Sequence, residues 1–150
     1  MSSLPSIKTV IAHLACAILI GTGTPADAAP GESGEPGVVY HISDFEQASR
    51  ALFQIGNQIK ALPDIPVVII GVGSGIRFML DGVKDKNDAP FSSQIEKLMA
   101  EGAEFYVCQN TLDAYEINAS ELGFGVETVR SGIASITELQ LRHHYAYIKP

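Results

Sequence analysis

The chain has two cysteines, Cys16 and Cys108, and Cys108 is the side chain best placed for chemistry. Cys16 falls in an N-terminal segment with the pattern of an export signal. Removal of that segment leaves Cys108 alone, and a lone cysteine in an exported protein cannot close an internal disulfide. It must pair with another molecule, react, or pack as a small apolar side chain. Cys108 closes the strand-like run Phe105-Tyr106-Val107-Cys108, and Asn110 or Thr111 can cap a short helix through Ile117. The sulfur is therefore expected at the carboxyl end of a strand, beside a helix N-terminus. Free N–H groups and the helix dipole favour an anion there, and thiolate is the nucleophilic form of cysteine. Gln109, Asn110 and Thr111 are the neighbours expected to support it.

Other candidates are weaker. Gly71-Val72-Gly73-Ser74-Gly75 follows an apolar run and could turn backbone N–H groups toward an anion. It lacks the spacing of a dinucleotide fingerprint and the Lys-Ser/Thr of a P-loop. Its plainer reading is a tight turn that needs positive φ. In the stronger reading Gly73, Ser74 and Gly75 line the same sheet edge as Cys108, with Arg77 supporting a bound anion. His41 closes the first strand and is a candidate base or hydrogen-bond partner for Cys108, against the plainer reading of a core or surface histidine. His143 and His144 are adjacent and share no helix face, so they make a poor metal pair. No His-x-x-x-His, Cys-x-x-Cys or clustered-carboxylate pattern occurs, and neither a metal nor a cofactor is expected.

Strand and helix patterns alternate around these residues. Val38–Ile42 reads as a β-branched strand, and Ser43-Asp44-Phe45-Glu46 as a capping box opening a helix with one apolar stripe, which Pro63 ends. Pro66–Ile70 is a near-continuous apolar run, as in a strand covered on both faces. Ile76–Leu80 suits a short strand or helical turn, and 81–88 a polar loop. Ser93-Gln94-Ile95-Glu96 suggests a second capping box on a helix stopped by Gly102. Val126–Val129 is a fourth strand, and Ser131 caps a last helix. Tyr145 and Tyr147 alternate as on an edge strand. The expected fold is α/β: a flavodoxin-like, doubly wound parallel sheet with helices on both faces, whose sites form at the carboxyl ends of the strands.

The N-terminus sets the expected compartment. Lys8, the apolar Val10–Ile20 and the small residues Ala26-Asp27-Ala28 match a cleavable signal over residues 1–28, with a mature start near Ala29. The apolar run is shorter than the roughly 20 residues that span a bilayer. Residues 29–37 read as a flexible, solvated leader, and 38–150 as one domain. Periplasmic or secreted localisation follows, with no membrane attachment after cleavage; an uncleaved membrane anchor is the alternative reading. A formal charge of −7 and a pI near 4.9 argue against nucleic acid and anionic lipid as partners.

With the strand–Cys–helix unit in place, the chain resembles the DsrE/DsrF-like family over most of residues 38–150. The strongest piece is Gly102-Ala103-Glu104-Phe105-Tyr106-Val107-Cys108-Gln109-Asn110-Thr111-Leu112. Val129-Arg130-Ser131-Gly132-Ile133-Ala134, Leu139-Gln140 and the closing Tyr145-Ala146-Tyr147-Ile148-Lys149-Pro150 resemble its exported branch. The resemblance implies a flavodoxin-like fold, a symmetric homo-oligomer (trimer or hexamer), and a persulfide-carrying cysteine at Cys108. Cytoplasmic relay members usually continue with an Arg-Gly turn, and Ala114-Tyr115-Glu116-Ile117 has no arginine.

The expected function is sulfur handling outside the cytoplasm. Cys108 accepts a sulfane sulfur from a donor, holds it as a persulfide, and passes it to an acceptor thiol, on a protein or a small molecule. The alternative is a non-catalytic, oligomeric module that binds a small ligand or a protein, with Cys108 buried. A third reading is a redox sensor that forms an intermolecular disulfide through Cys108.

Overall fold

A computed structural model of the chain describes residues 30–31 and 35–150. The segment read as an export signal lies outside the described residues. Five strands, β1 (Val38–Ile42), β2 (Val67–Gly71), β3 (Ala103–Cys108), β4 (Glu127–Val129) and β5 (Ala146–Ile148), form one all-parallel sheet in the order β4-β3-β2-β1-β5. The helices are α1 (Ala48–Ala61), α2 (Phe91–Ala100), α3 (Gln109–Ala114) and α4 (Gly132–Arg142). Short 3₁₀ turns lie at Phe45–Gln47, Gly73–Met79 and Ala119–Glu121.

The winding follows from handedness. From β1 to β4 each strand is laid on the same side of the previous one. Right-handed crossovers therefore put α1, α2 and α3 on one face. The chain then returns past the whole sheet to place β5 beside β1, which puts α4 on the other face. The two cores agree. Ile55 of α1, Ile95 of α2 and Leu112 of α3 pack with Ile69, Phe105 and Val107. Ile136 and Leu139 of α4 pack with Val68, Ile70, Tyr106 and Val129. The α/β class, the parallel sheet and helices on both faces are thus present. All five residues of the central β2 are buried, as its unbroken apolar run requires.

Several local boundaries differ from the expectations. Ser43 does not cap α1. The segment after β1 is tied down by the Gly73–Met79 turn, through Val72 N–H on the Ile42 carbonyl and the Ser74 hydroxyl on the Ser43 carbonyl. Asp44 instead caps the turn at Phe45, by accepting from Glu46 N–H, and α1 begins at Ala48. Helix α2 starts at Phe91, before the expected box at Ser93. There the Phe91 N–H reaches the Val83 carbonyl, and its buried ring packs on Phe45 and Phe78. Helix α3 starts at Gln109 with Cys108 itself as N-cap, and stops at Ala114. Beyond it Glu116 sits at φ 55, where a non-glycine residue cannot continue a right-handed helix. Gly102 (φ 95) ends α2, and the Ser131 hydroxyl caps α4 on Ala134 N–H, both as expected. Gly31, in the segment read as a solvated leader, is buried: a β-carbon there would lie 2.6 Å from Leu139 Cδ2.

No helix among the described residues is long and apolar enough to cross a membrane.

Candidate functional site around Cys108

Strand β3 leads into α3 on the first face, whereas its neighbour β4 leads into α4 on the second. The crevice between their carboxyl ends is therefore the switch point of the sheet, where α/β proteins place their sites. Cys108 ends β3, directly paired with Val129 at the end of β4. It shares the strand face of Tyr106, the face that α4 covers. The first turns of two helices, α3 and α4, meet at this point.

Cys108 is 6% exposed and forms no disulfide. As a thiol it makes no capping hydrogen bond to α3. Its anion is better served. Burial pushes the thiol pKa up, but opposing hydrogen bonds outweigh it and leave the pKa below its ordinary value. The donors are the Gly132 N–H, the Thr111 hydroxyl, and the N–H groups of Thr111 and Asn110. This is the electropositive setting that favours thiolate.

Two of these donors are held in place by glycines. Gly132 opens α4 against the sulfur-bearing residue. A β-carbon on it would lie 3.2 Å from Cys108 Cβ and 2.5 Å from Val72 Cγ1. Only glycine brings this N–H so close. Thr111 Oγ1 accepts the Gly73 N–H at 3.3 Å, which leaves the hydroxyl proton to be donated to the sulfur. Gly73 adopts φ 53, a conformation glycine reaches without strain.

The structure thus brings Gly73, Asn110 and Thr111 to Cys108 and sends the other expected residues elsewhere. Ser74 faces the end of β1, where its hydroxyl accepts Phe45 N–H and donates to the Ser43 carbonyl. Gly75 is a packing residue, since a β-carbon there would fall 2.2 Å from the Ile42 carbonyl oxygen. The Gln109 amide donates to Asp113 Oδ1 along α3. Arg77 lies over the Phe45 ring, 4.8 Å from its centroid, and takes no part at the sulfur.

His41 is buried on β1, which β2 separates from β3. Two strand spacings put it about 10 Å to the side of Cys108. Its Nδ1 bonds instead to Tyr147 Oη at 2.8 Å. It is no hydrogen-bond partner of Cys108. Among the described residues no group of three or more His, Cys, Asp or Glu side chains could hold a metal ion.

Gly132 was not foreseen as a site residue. Ser131 signalled a helix start, but only the strand order brings that start to Cys108.

A family model described as the DsrE/DsrF-like family matches residues 38–150. In three dimensions the chain is similar to a protein of unknown function, MTH1491, from Methanobacterium thermoautotrophicum. The TM-score is 0.63 at 28% identity, over 77% of this chain and 100% of that one. It is also similar to the ychN protein from E. coli, with a TM-score of 0.65 at 14% identity, over 77% of this chain and 99% of that one. At that identity the second likeness shows the fold alone. None of the curated proteins matches the chain. With the family model spanning every strand and helix described above, the chain belongs to the DsrE/DsrF-like family.

Proposed function

We propose that the protein carries sulfane sulfur on Cys108, in keeping with a family associated with sulfur relay. The observation that carries this reading is the place of Cys108: it ends β3 at the switch point of the sheet, caps α3 and lies against Gly132 at the start of α4, a setting that holds its thiol pKa below the ordinary value. In the loading step the Cys108 thiolate attacks the terminal sulfur of a polysulfide or thiosulfate. A new S–S bond forms, the donor's S–S bond breaks, and the shortened polysulfide or sulfite leaves with the electron pair. In the unloading step an acceptor thiolate attacks the outer sulfur. The Cys108 thiolate is regenerated and the acceptor leaves as a persulfide. The cycle needs no external oxidant or reductant. The donors that hold the thiolate also stabilise it as the leaving group of the second step.

The export-like pattern of residues 1–28 supports action in the periplasm or outside the cell, and the family resemblance supports a homo-oligomer that meets its sulfur donor and acceptor thiol transiently. Labelled sulfane sulfur, offered to wild type and to Cys108→Ser, tests the proposal. Label should pass through the wild type to an added thiol and be absent from the variant. Equal labelling of both would overturn it.

The second reading is a binding module with an inert cysteine, and the 6% exposure of Cys108 favours it. Alkylation separates the two. A thiol that reacts only after unfolding belongs to the module.

A further inference from the structure

A second concavity opens at the carboxyl end of β1, away from Cys108. It is a cleft of about 460 Å³, within the range of small-molecule sites. Buried His41 forms its floor, Ser43 and Gln47 its wall, and exposed Asp44, Arg50 and Lys149 its rim. Arg50 comes from the first turn of α1, and Lys149 follows β5. Three separate elements therefore converge on it.

The polar groups of this cleft are not spent on one another. The ion pairs between described side chains are Lys84–Asp88 and Arg142–Glu138, and neither involves Arg50 or Lys149. Asp44 is the one carboxylate side chain in the lining, and its Oδ1 already accepts Glu46 N–H. Tyr147 occupies His41 Nδ1, while His41 Nε2 is buried with no partner among the described residues. That nitrogen is sealed from solvent, so it supplies no contact to a ligand in the cleft. Burial, and after it the Lys149 ammonium, hold the His41 pKa below its ordinary value, so the ring is neutral at neutral pH. Arg50 and Lys149 have no ion-pair partner among the described residues and Asp44 is the single opposing carboxylate side chain, so the side chains of the lining carry a local excess of positive charge on an otherwise acidic chain.

We propose that this cleft is a second ligand site, taking a small oxyanion between Arg50 and Lys149 above His41. The shared chemistry is a negatively charged group of two or three oxygens, on a carboxylate or a sulfur oxyanion. Guanidinium and ammonium donors suit either. The site does not depend on Cys108 carrying sulfur.

The test is a titration of the purified protein with sodium thiosulfate and with sodium acetate, at constant ionic strength against sodium chloride. The His41 ring resonances are followed by NMR. A saturating shift with thiosulfate or acetate, and none with chloride, is expected. Preference between the two anions identifies the source of the ligand. Arg50→Gln and Lys149→Gln, both at exposed positions, should each weaken binding at least about tenfold, as the loss of a charge-assisted hydrogen bond implies. Cys108→Ser should bind as the wild type does. Shifts that follow chloride, or saturating shifts that both charge variants leave intact, would overturn the site.

Discussion

Gly132 opens α4 so close to Cys108 that a β-carbon on the glycine would stand 3.2 Å from the cysteine's own Cβ. The contact joins residues from the two sides of the sheet's switch point. It gives the sulfur a helix N-terminal N–H from outside its own strand–helix unit. Gly132→Ala tests it. The added methyl meets Val72 Cγ1 at 2.5 Å, so the helix start must retreat. Overpacking of this kind costs about 1–3 kcal/mol. The gain of alanine over glycine in a helix is at most ~1 kcal/mol, and less at its first position. Lower stability and a raised Cys108 pKa are expected together, read by denaturant unfolding and by thiolate absorbance against pH. An unchanged thiol titration would show that the Gly132 N–H does not act on the sulfur.

Thr111 should separate shape from hydrogen bonding. Thr111→Val keeps the β-branch but removes the oxygen that accepts Gly73 N–H and the proton that faces the sulfur. A stability loss of about 1 kcal/mol is expected, with slower alkylation of Cys108 at neutral pH. Thr111→Ser should keep wild-type alkylation. Equal rates in all three proteins would remove Thr111 from the site.

The charge state of Cys108 also sets a pH dependence of stability. A native pKa below the unfolded one adds stability that is complete above the unfolded value and is lost as pH falls through the native value. The stability difference between wild type and Cys108→Ser should therefore widen as pH rises across that window, then level off. His41 acts at the acid end. Its lowered pKa means that the unfolded chain takes the proton first. Stability should fall as pH drops below about 6.5. His41→Gln should flatten that part of the curve. A slope that is the same in His41→Gln would place the acid sensitivity on other groups.

The legibility of this fold in the sequence was uneven, for physical reasons. Signals carried by a single segment could be read: the apolar run of β2, the Ser131 cap, the Gly102 stop, and the strand end at Cys108. Signals set by other segments could not. Ser43 has the residue type of a cap but is held extended by the turn after β2, and Asp44 caps in its place. Phe91 starts α2 early because its ring is buried between Phe45 and Phe78. The same division holds at the site. Thr111 and Asn110 are local to Cys108 and were foreseen, whereas Gly132 arrives through the strand order. His41 stands at the same sheet edge in sequence terms, yet β2 lies between it and the cysteine.

Gly75 offers a check on the packing of the turn beneath the site. A β-carbon there would lie 2.2 Å from the Ile42 carbonyl oxygen, a backbone atom that cannot move aside cheaply. Gly75→Ala should cost about 3 kcal/mol, the upper end of overpacking losses. Gly82, at φ 72 in open space, is the control. Gly82→Ala should cost only the backbone strain, about 1–2 kcal/mol. A smaller loss at Gly75 than at Gly82 would contradict the close approach of the turn to β1.

The role of Cys108 is tested most directly by intact mass. The purified protein is incubated with a polysulfide or thiosulfate donor, alkylated and weighed, and the modified peptide is mapped. A gain of one sulfur atom on Cys108, removed by reductant and by an acceptor thiol, is the predicted result. No gain, with Cys108 alkylated only after unfolding, would contradict the carrier and leave an inert cysteine in a binding module.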